Sequence, residues 1–316
     1  MQPETKKIRE IANRLLQDHQ VDVVIGYERG SLPLRSSPSF ARTPEEVEKL
    51  IWDATCENNL ARFVRGRDDR MAIVAKGCDA GSLISLIKEK QLELDQVYII
   101  GVPCGGMIDR KKLARLLDGR EILEANEAGA NLILEGNGFN LQVEKSELLY
   151  ESCKSCRQRN PAIYDELVAD KLDVDDVEDD YETVLQFESK TPEERWAYFM
   201  EEMSKCIRCY ACRKVCPLCY CPECIVDCSK PLWIGKTNDQ SATAVFHIVR
   251  AFHTAGRCVD CGACVRACPM DVDLRLLTKK MEMDIQELFG YRAGESLEDA
   301  PPLATFQLDD PQEFIW

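Results

Sequence analysis

Near the start of the chain, apolar residues recur every three to four positions, at Ile8, Ile11, Leu15 and Leu16. This places them on one face of a helix over residues 4–18. The pattern then changes. VDVVIGYE at 21–28 and RMAIVA at 70–75 are short, nearly continuous apolar runs, as strands buried on both faces show. QVYIIGV at 96–102 is a third. Between the last two lie the turn KGCDAG and the helical stretch SLISLIKEK. Strand, helix and strand in that order make a crossover unit, which implies parallel strands. Thr43-Pro44-Glu45-Glu46 reads as a helix start, with Thr as N-cap, Pro in the first helical position and acids in the first turn. DRKKLARLLDG is a helix stopped by Gly119, and NLILEG and FNLQV are two further β-like runs.

Beyond residue 169 the texture differs. DKLDVDDVEDDYE at 170–182 is acidic and poor in apolar residues, which predicts a linker between domains. Thr191-Pro192-Glu193-Glu194 is a second helix start. Helices are expected over 240–255 and from Asp273 to Phe289. The tail from Gly294 has few apolar residues before Phe314-Ile315-Trp316 and is expected to drape over a surface. His19, His247 and His253 read as unremarkable; His247 and His253 share a helix with Phe246, Val249 and Phe252 and read as packed residues rather than ligands.

Composition narrows the function. The chain has 316 residues, enough for two domains, and 45% hydrophobic residues support a sizeable core. A net charge of −15 argues against nucleic acid and against an anionic membrane surface, each of which calls for a basic footprint. No stretch approaches the roughly 20 apolar residues of a membrane span. The N-terminal helix lacks the apolar core and cleavage site of a secretory signal, so a cytoplasmic location is expected.

Seventeen cysteines call for a reason other than disulfides, which belong to small secreted chains. Cys206, Cys209, Cys212 and Cys216 are followed by Pro217, and Cys258, Cys261, Cys264 and Cys268 by Pro269. Both runs read C-x2-C-x2-C-x3-C-P, the run of bacterial ferredoxins, in which three cysteines hold one 4Fe–4S cubane and the fourth reaches the other. One cluster is then expected on Cys206, Cys209, Cys212 and Cys268, and a second on Cys258, Cys261, Cys264 and Cys216. Zinc would explain one set of four ligands but not two copies of this run. Between the runs, Cys219, Cys221, Cys224 and Cys228 leave three readings open: a further cluster, a zinc site, or spare thiols. Upstream, Cys78 and Cys104 each follow a β-like run, where α/β sheets place their sites, and Cys153 and Cys156 form a C-x2-C pair. These four could converge on a third cluster or be inert buried thiols. The expected fold is an α/β N-terminal domain with a partly parallel sheet over 1–169. An acidic linker over 170–190, a mainly α-helical dicluster ferredoxin-like module over 191–290 and a tail over 291–316 follow it.

VDVVIGYERG, WDATCENNLARF, AIVAKGCDAGSLISLI, VYIIGVPCGGMIDRKKL and the pair at Cys153 together resemble the beta subunit of coenzyme F-420-reducing hydrogenase and formate dehydrogenase, over roughly residues 20–160. The remainder resembles a dicluster ferredoxin of the kind found in heterodisulfide-reductase-type complexes. The resemblance implies an α/β fold with a 4Fe–4S cluster at Cys78, Cys104, Cys153 and Cys156, with Cys56 as a substitute for one of them. It also implies, in many members, an FAD that exchanges hydride with a soluble carrier. By position in the turns, Lys76, Gly77, Asp79, Gly101, Gly105 and Gly106 are the candidate FAD contacts. Family members continue past the C-x2-C pair with more of the flavin domain, whereas this chain passes into its acidic run. The leading expectation is therefore an iron–sulfur electron-transfer subunit, partnered by other redox subunits of hydrogenase, formate dehydrogenase or heterodisulfide-reductase type. The alternative is an FAD-containing reductase subunit serving a deazaflavin or nicotinamide carrier.

Overall fold

The computed structural model describes residues 2–173 and 181–302. The middle of the expected linker and most of the expected tail, with Phe314-Ile315-Trp316, lie outside the described residues.

The chain opens with α1 (Pro3–Gln17), whose buried Ile8, Ile11, Ala12 and Leu15 form the face expected from their spacing. Burying each of the three large side chains stabilises by about 1.5–3 kcal/mol. β1 (Val23–Arg29) follows, then β2 (Ser36–Ala41), which turns back antiparallel on it. The helix expected after Thr43 is a single turn, α2 (Pro44–Val47), capped as foreseen by the Thr43 hydroxyl, which accepts from the Glu46 amide at 3.4 Å. It stops because Leu50 is drawn into the core and pairs with Glu28 at the sheet edge.

β3 (Met71–Ala75), α3 (Gly77–Lys88) and β4 (Val97–Gly101) form the crossover unit. Here KGCDAG is not a turn before the helix. Lys76 is the N-cap, and the Asp79 carboxylate accepts from its amide at 3.1 Å, so Cys78 lies in the first helical turn. α4 (Arg110–Leu117) leads into an antiparallel sheet of β5 (Ile122–Ala128), β6 (Asn131–Gly136) and β7 (Phe139–Glu144), with β5 absent from the sequence reading. Two short helices, α5 (Lys145–Leu148) and α6 (Glu151–Lys154), precede the two-residue strand β8 (Glu166–Leu167). The main sheet has the order β2-β1-β3-β4-β8, parallel except for β2. The α/β reading of the first half therefore holds.

The second half is helical. α7 (Glu182–Glu188) falls inside the stretch expected to be linker. Its Phe187 ring stacks edge-on with Tyr198, 5.1 Å between centroids, and Glu188 pairs with Lys280 at 2.5 Å. α8 (Pro192–Lys205) has the full capping box of Thr191 and Glu194. α9 (Ala211–Val215), α10 (Gln240–Thr254), α11 (Ala263–Arg266) and α12 (Arg275–Phe289) complete the module.

The two halves are tied across α3, which is buried on both sides. The Ser85 hydroxyl donates to the Arg257 carbonyl at 3.3 Å, Arg257 pairs with Glu89, and Lys88 lies over the Tyr291 ring at 5.0 Å. His247 is buried as expected, whereas His253 is exposed rather than packed.

Candidate functional site

The ends of parallel strands β3 and β4 deliver Cys78 and Cys104 side by side, as open α/β sheets place their sites. α6 and the turn after it bring Cys153 and Cys156 to the same place, and all four line one small cavity. Burial pushes the Cys78 thiol well up, that of Cys104 up to about 11 and that of Cys156 up to about 12. Negative charge on the neighbouring cysteines adds to each rise: Cys153 acts on Cys104, and both act on Cys156. Thiols gathered this way resist ionisation unless a metal supplies the compensating charge, and a coordinating thiol is deprotonated outright. The donor set fits a 4Fe–4S cluster, which takes four cysteine thiolates. Cys261 of the helical module lines the same cavity, as does Arg266. Cys56 does not: it is fully buried in the hydrophobic core beneath the sheet, 3.8 Å from the Asp53 carboxylate.

The two C-terminal runs fold alike. Between their first and second cysteines, Arg208 and Asp260 take φ of 52° and 50°. Between the second and third, Tyr210 and Gly262 take 59° and 67°. A short helix follows in each run, α9 and α11. Equal spacing thus becomes equal backbone. The left-handed Arg208 donates its amide to Cys206 Sγ, and beyond the second run the Val272 amide, which follows the left-handed Asp271, donates to Cys268 Sγ, both at 3.4 Å. At Gly262 a side chain is excluded twice, by its φ and because a Cβ would stand 2.4 Å from the Ser152 hydroxyl of α6.

Thiols of the two runs act on one another. Burial raises Cys206, and Cys268 and Cys209 add to the rise. Burial also raises Cys258, Cys261 and Cys264, with Cys216 adding to the last two. Cys268 of the second run thus acts on Cys206 of the first, and Cys216 of the first acts on Cys261 and Cys264 of the second. Cys212, raised to about 11 by burial, is reached by Cys264, so the two sets adjoin. His247, set down as merely packed, has its Nε2 3.3 Å from Cys206 Sγ.

Of Cys219, Cys221, Cys224 and Cys228, the first three line one cleft and Cys228 is not among its lining residues. Cys219 sits against Cys216 within hydrogen-bonding reach, which brings it down to about 7. Cys221 is exposed, and the Cys228 thiol donates back to the Cys224 carbonyl at 3.5 Å. Among the described residues no three His, Cys, Asp or Glu side chains stand close enough to share a single metal ion. A cubane differs, since its ligands are spread over four irons.

The residues expected to contact flavin are mostly closed off. Lys76 and Asp79 are a buried ion pair at 2.9 Å. Lys76 Nζ also donates to the Tyr27 hydroxyl at 2.7 Å and to the Asn58 carbonyl at 2.5 Å. A Cβ on Gly77 would fall 1.7 Å from the Gln158 carbonyl, and one on Gly101 2.9 Å from Pro161 and Tyr164. Gly106 is backed by Leu149, and Gly105 faces open space. The chain's own segment from Gln158 to Tyr164 thus fills the mouth of the sheet, and these residues do not fit a flavin.

A roomier space lies elsewhere. A cleft of about 700 Å³ runs between α4, α6 and the helical module, lined by the cations Arg35, Arg110, Lys111, Lys154, Arg275 and Lys279 and by the acids Asp109, Glu151, Glu182 and Asp273, and sharing Ser152 and Arg266 with the thiol cavity. Sequence reading missed it, because its cations come from four separate stretches and no motif connects them.

No family model matches the chain. The beta subunit of the F420-dependent formate dehydrogenase of Methanocaldococcus jannaschii is 26% identical, with 92% of this chain and 91% of the relative covered. The beta subunit of F420-dependent formate dehydrogenase 1 of Methanococcus maripaludis is 25% identical, with 91% and 90% covered. Among solved structures, a chain of the F420-reducing [NiFe] hydrogenase complex from Methanosarcina barkeri superposes with a TM-score of 0.38 at 14% identity, covering 48% of this chain and 61% of its own. The likeness to the curated relatives reaches well past residues 20–160 and takes in cysteine-rich sequence of the second half. The alignment with the first runs over 348 positions against 316 residues here, so that relative has residues this chain lacks. Over nine-tenths of its length this chain is a relative of the beta subunits of F420-dependent formate dehydrogenases.

Proposed function

We propose that this chain is an iron–sulfur electron-transfer subunit of a multi-subunit oxidoreductase, with three 4Fe–4S sites in series. The carrying observation is adjacency. Cys261, a member of one C-terminal set, lines the cavity of Cys78, Cys104, Cys153 and Cys156, and Cys264 of that same set acts on Cys212 of the other. When bound, such clusters accept and donate single electrons at potentials set by hydrogen bonds to sulfur, charge and burial. The protein's part is to hold the thiols, donate amides to them and exclude water. The outermost set includes the exposed Cys209, flanked by Ile207 at 51% exposure, which gives a partner subunit close access. By analogy with the curated relatives those partners are formate dehydrogenase subunits; hydrogenase or heterodisulfide-reductase-type subunits are the partners that the sequence resemblance adds.

A second reading, an FAD-containing reductase subunit, is favoured by one observation: the cationic cleft beside the thiol cavity. Its volume lies within the roughly 300–1,000 Å³ of small-molecule sites, and its cations suit the phosphates of a dinucleotide or the anionic tail of a deazaflavin.

Iron per chain in anaerobically purified protein tests the main reading: about twelve for three cubanes, about eight for two. A Cys78→Ser Cys156→Ser variant should lose four irons and keep the rest. An unchanged iron content would remove the N-terminal site from the series. Flavin released on denaturation, near one per chain and lost in an Arg110→Glu Arg275→Glu variant, would establish the second reading. Flavin near zero in the wild type would dismiss it.

A further inference from the structure

One buried cation stands between the two C-terminal thiol sets. Arg250 lies on α10, the helix that joins the two runs, and is 7% exposed. The negative groups that reach it are thiols: Cys264, Cys216, Cys219 and Cys212. Its guanidinium donates to the Cys212 carbonyl at 3.4 Å and is within hydrogen-bonding reach of Cys219 and Cys264, while its Nε has no partner. Cys212 belongs to one set, Cys216 and Cys264 to the other. A guanidinium taken out of water needs opposing charge and a full complement of acceptors. Sulfur-bound clusters on both sides would supply both, including an acceptor for the orphaned Nε.

We infer that Arg250 is the shared electrostatic support of both C-terminal clusters, raising the reduction potential of each and keeping the two potentials close. The inference rests on the reading that both runs hold clusters. Reduction adds negative charge to a cluster, so a fixed neighbouring cation stabilises the reduced form. The low dielectric around a buried group strengthens that effect relative to a surface charge. A lysine is a point charge on a flexible stem and lacks the planar fork that reaches two sets at once.

The test is a redox titration followed by electron paramagnetic resonance on the anaerobically purified full chain, with iron measured on every sample. Arg250→Gln should keep its iron. Both C-terminal midpoints should fall together, by at least the tenfold change in reduced-to-oxidised ratio that equals about 59 mV for one electron. Lys214→Gln removes the same unit of charge from the exposed rim of the neighbouring cleft and should move neither. Arg250→Lys should part the two midpoints, since it can serve one set only. Full iron with both midpoints unmoved in Arg250→Gln overturns the inference. If Arg250→Gln loses iron, Arg250→Lys decides: unparted midpoints with full iron make the residue an assembly element only. Wild-type protein without iron at these runs overturns the cluster reading itself, and the inference with it.

Discussion

Replacing Lys76 by methionine separates two roles for the residue. As a flavin contact it would be dispensable for folding. The structure instead gives it a buried ammonium with three partners, Asp79, the Tyr27 hydroxyl and the Asn58 carbonyl. Burial alone would depress its pKa, but Asp79 and then Tyr27 hold it well above the usual lysine value, so it is charged. Truncating one partner of a buried pair costs about 3–5 kcal/mol, because the other charge is left uncompensated. Here the Asp79 carboxylate keeps two backbone donors, the Leu60 amide at 2.8 Å and the Lys76 amide at 3.1 Å. That places Lys76→Met near 3 kcal/mol, the lower end of the range. Asp79→Ala also orphans the Leu60 amide and removes the helix cap, which places it nearer 5 kcal/mol. At roughly 2–4 °C per kcal/mol for a domain of this size, Lys76→Met should lower the melting temperature by about 6–12 °C. The assay is differential scanning calorimetry at one fixed scan rate, with iron and flavin measured on the same samples. A melting temperature within a degree of wild type, with flavin lost, would refute the reasoning and restore Lys76 as a cofactor contact.

Other outcomes follow from the same geometry. Cys228→Ser should leave iron per chain unchanged, because its thiol turns back onto the Cys224 carbonyl; a loss of four irons would place a cluster there. Gly262→Ala should cost at least about 1 kcal/mol from its left-handed backbone alone. Its clash with Ser152 should also loosen the helical module from α6, read as faster proteolytic separation of the two halves. Asp260, paired with Arg275 at 2.6 Å and Lys279 at 3.2 Å, lies between two cysteines of the second run. Asp260→Asn should raise the potential of the adjacent cluster, and a titration with no shift beyond error would count against it. Asp69 is held down to about 2 by hydrogen bonds from Arg67 and Arg42. A depressed carboxylate stabilises above its unfolded value and loses that contribution as pH falls through its folded one, so Asp69→Asn should differ from wild type in acid unfolding above pH 4 but not near pH 1.

Local patterns carried much of the fold. The face of α1, the crossover unit of β3, α3 and β4, the capping box of Thr191 and Glu194 and the equal turns of the two cysteine runs all depend on residues a few positions apart. Propensity and spacing therefore suffice to read them. The repeated spacing of the two runs was also readable, and the fold gives both the same left-handed turns ahead of a short helix. Where distant segments compete for one place, the reading failed. Lys76, Gly77, Asp79 and Gly101 have the composition of a ligand turn, and only the return of the chain from Gln158 to Tyr164 shows that protein fills that space. Cys56 has the same chemistry as Cys78, yet its neighbours in the core keep it from the cavity. The cationic cleft and the place of Arg250 between two thiol sets draw on residues far apart in sequence, and charge has no period to reveal such a gathering. Sequence alone determined which chemistry this chain can carry; tertiary packing decided which groups meet, which are sealed off and in what order the thiol sets stand, since burial and distance belong to the folded chain.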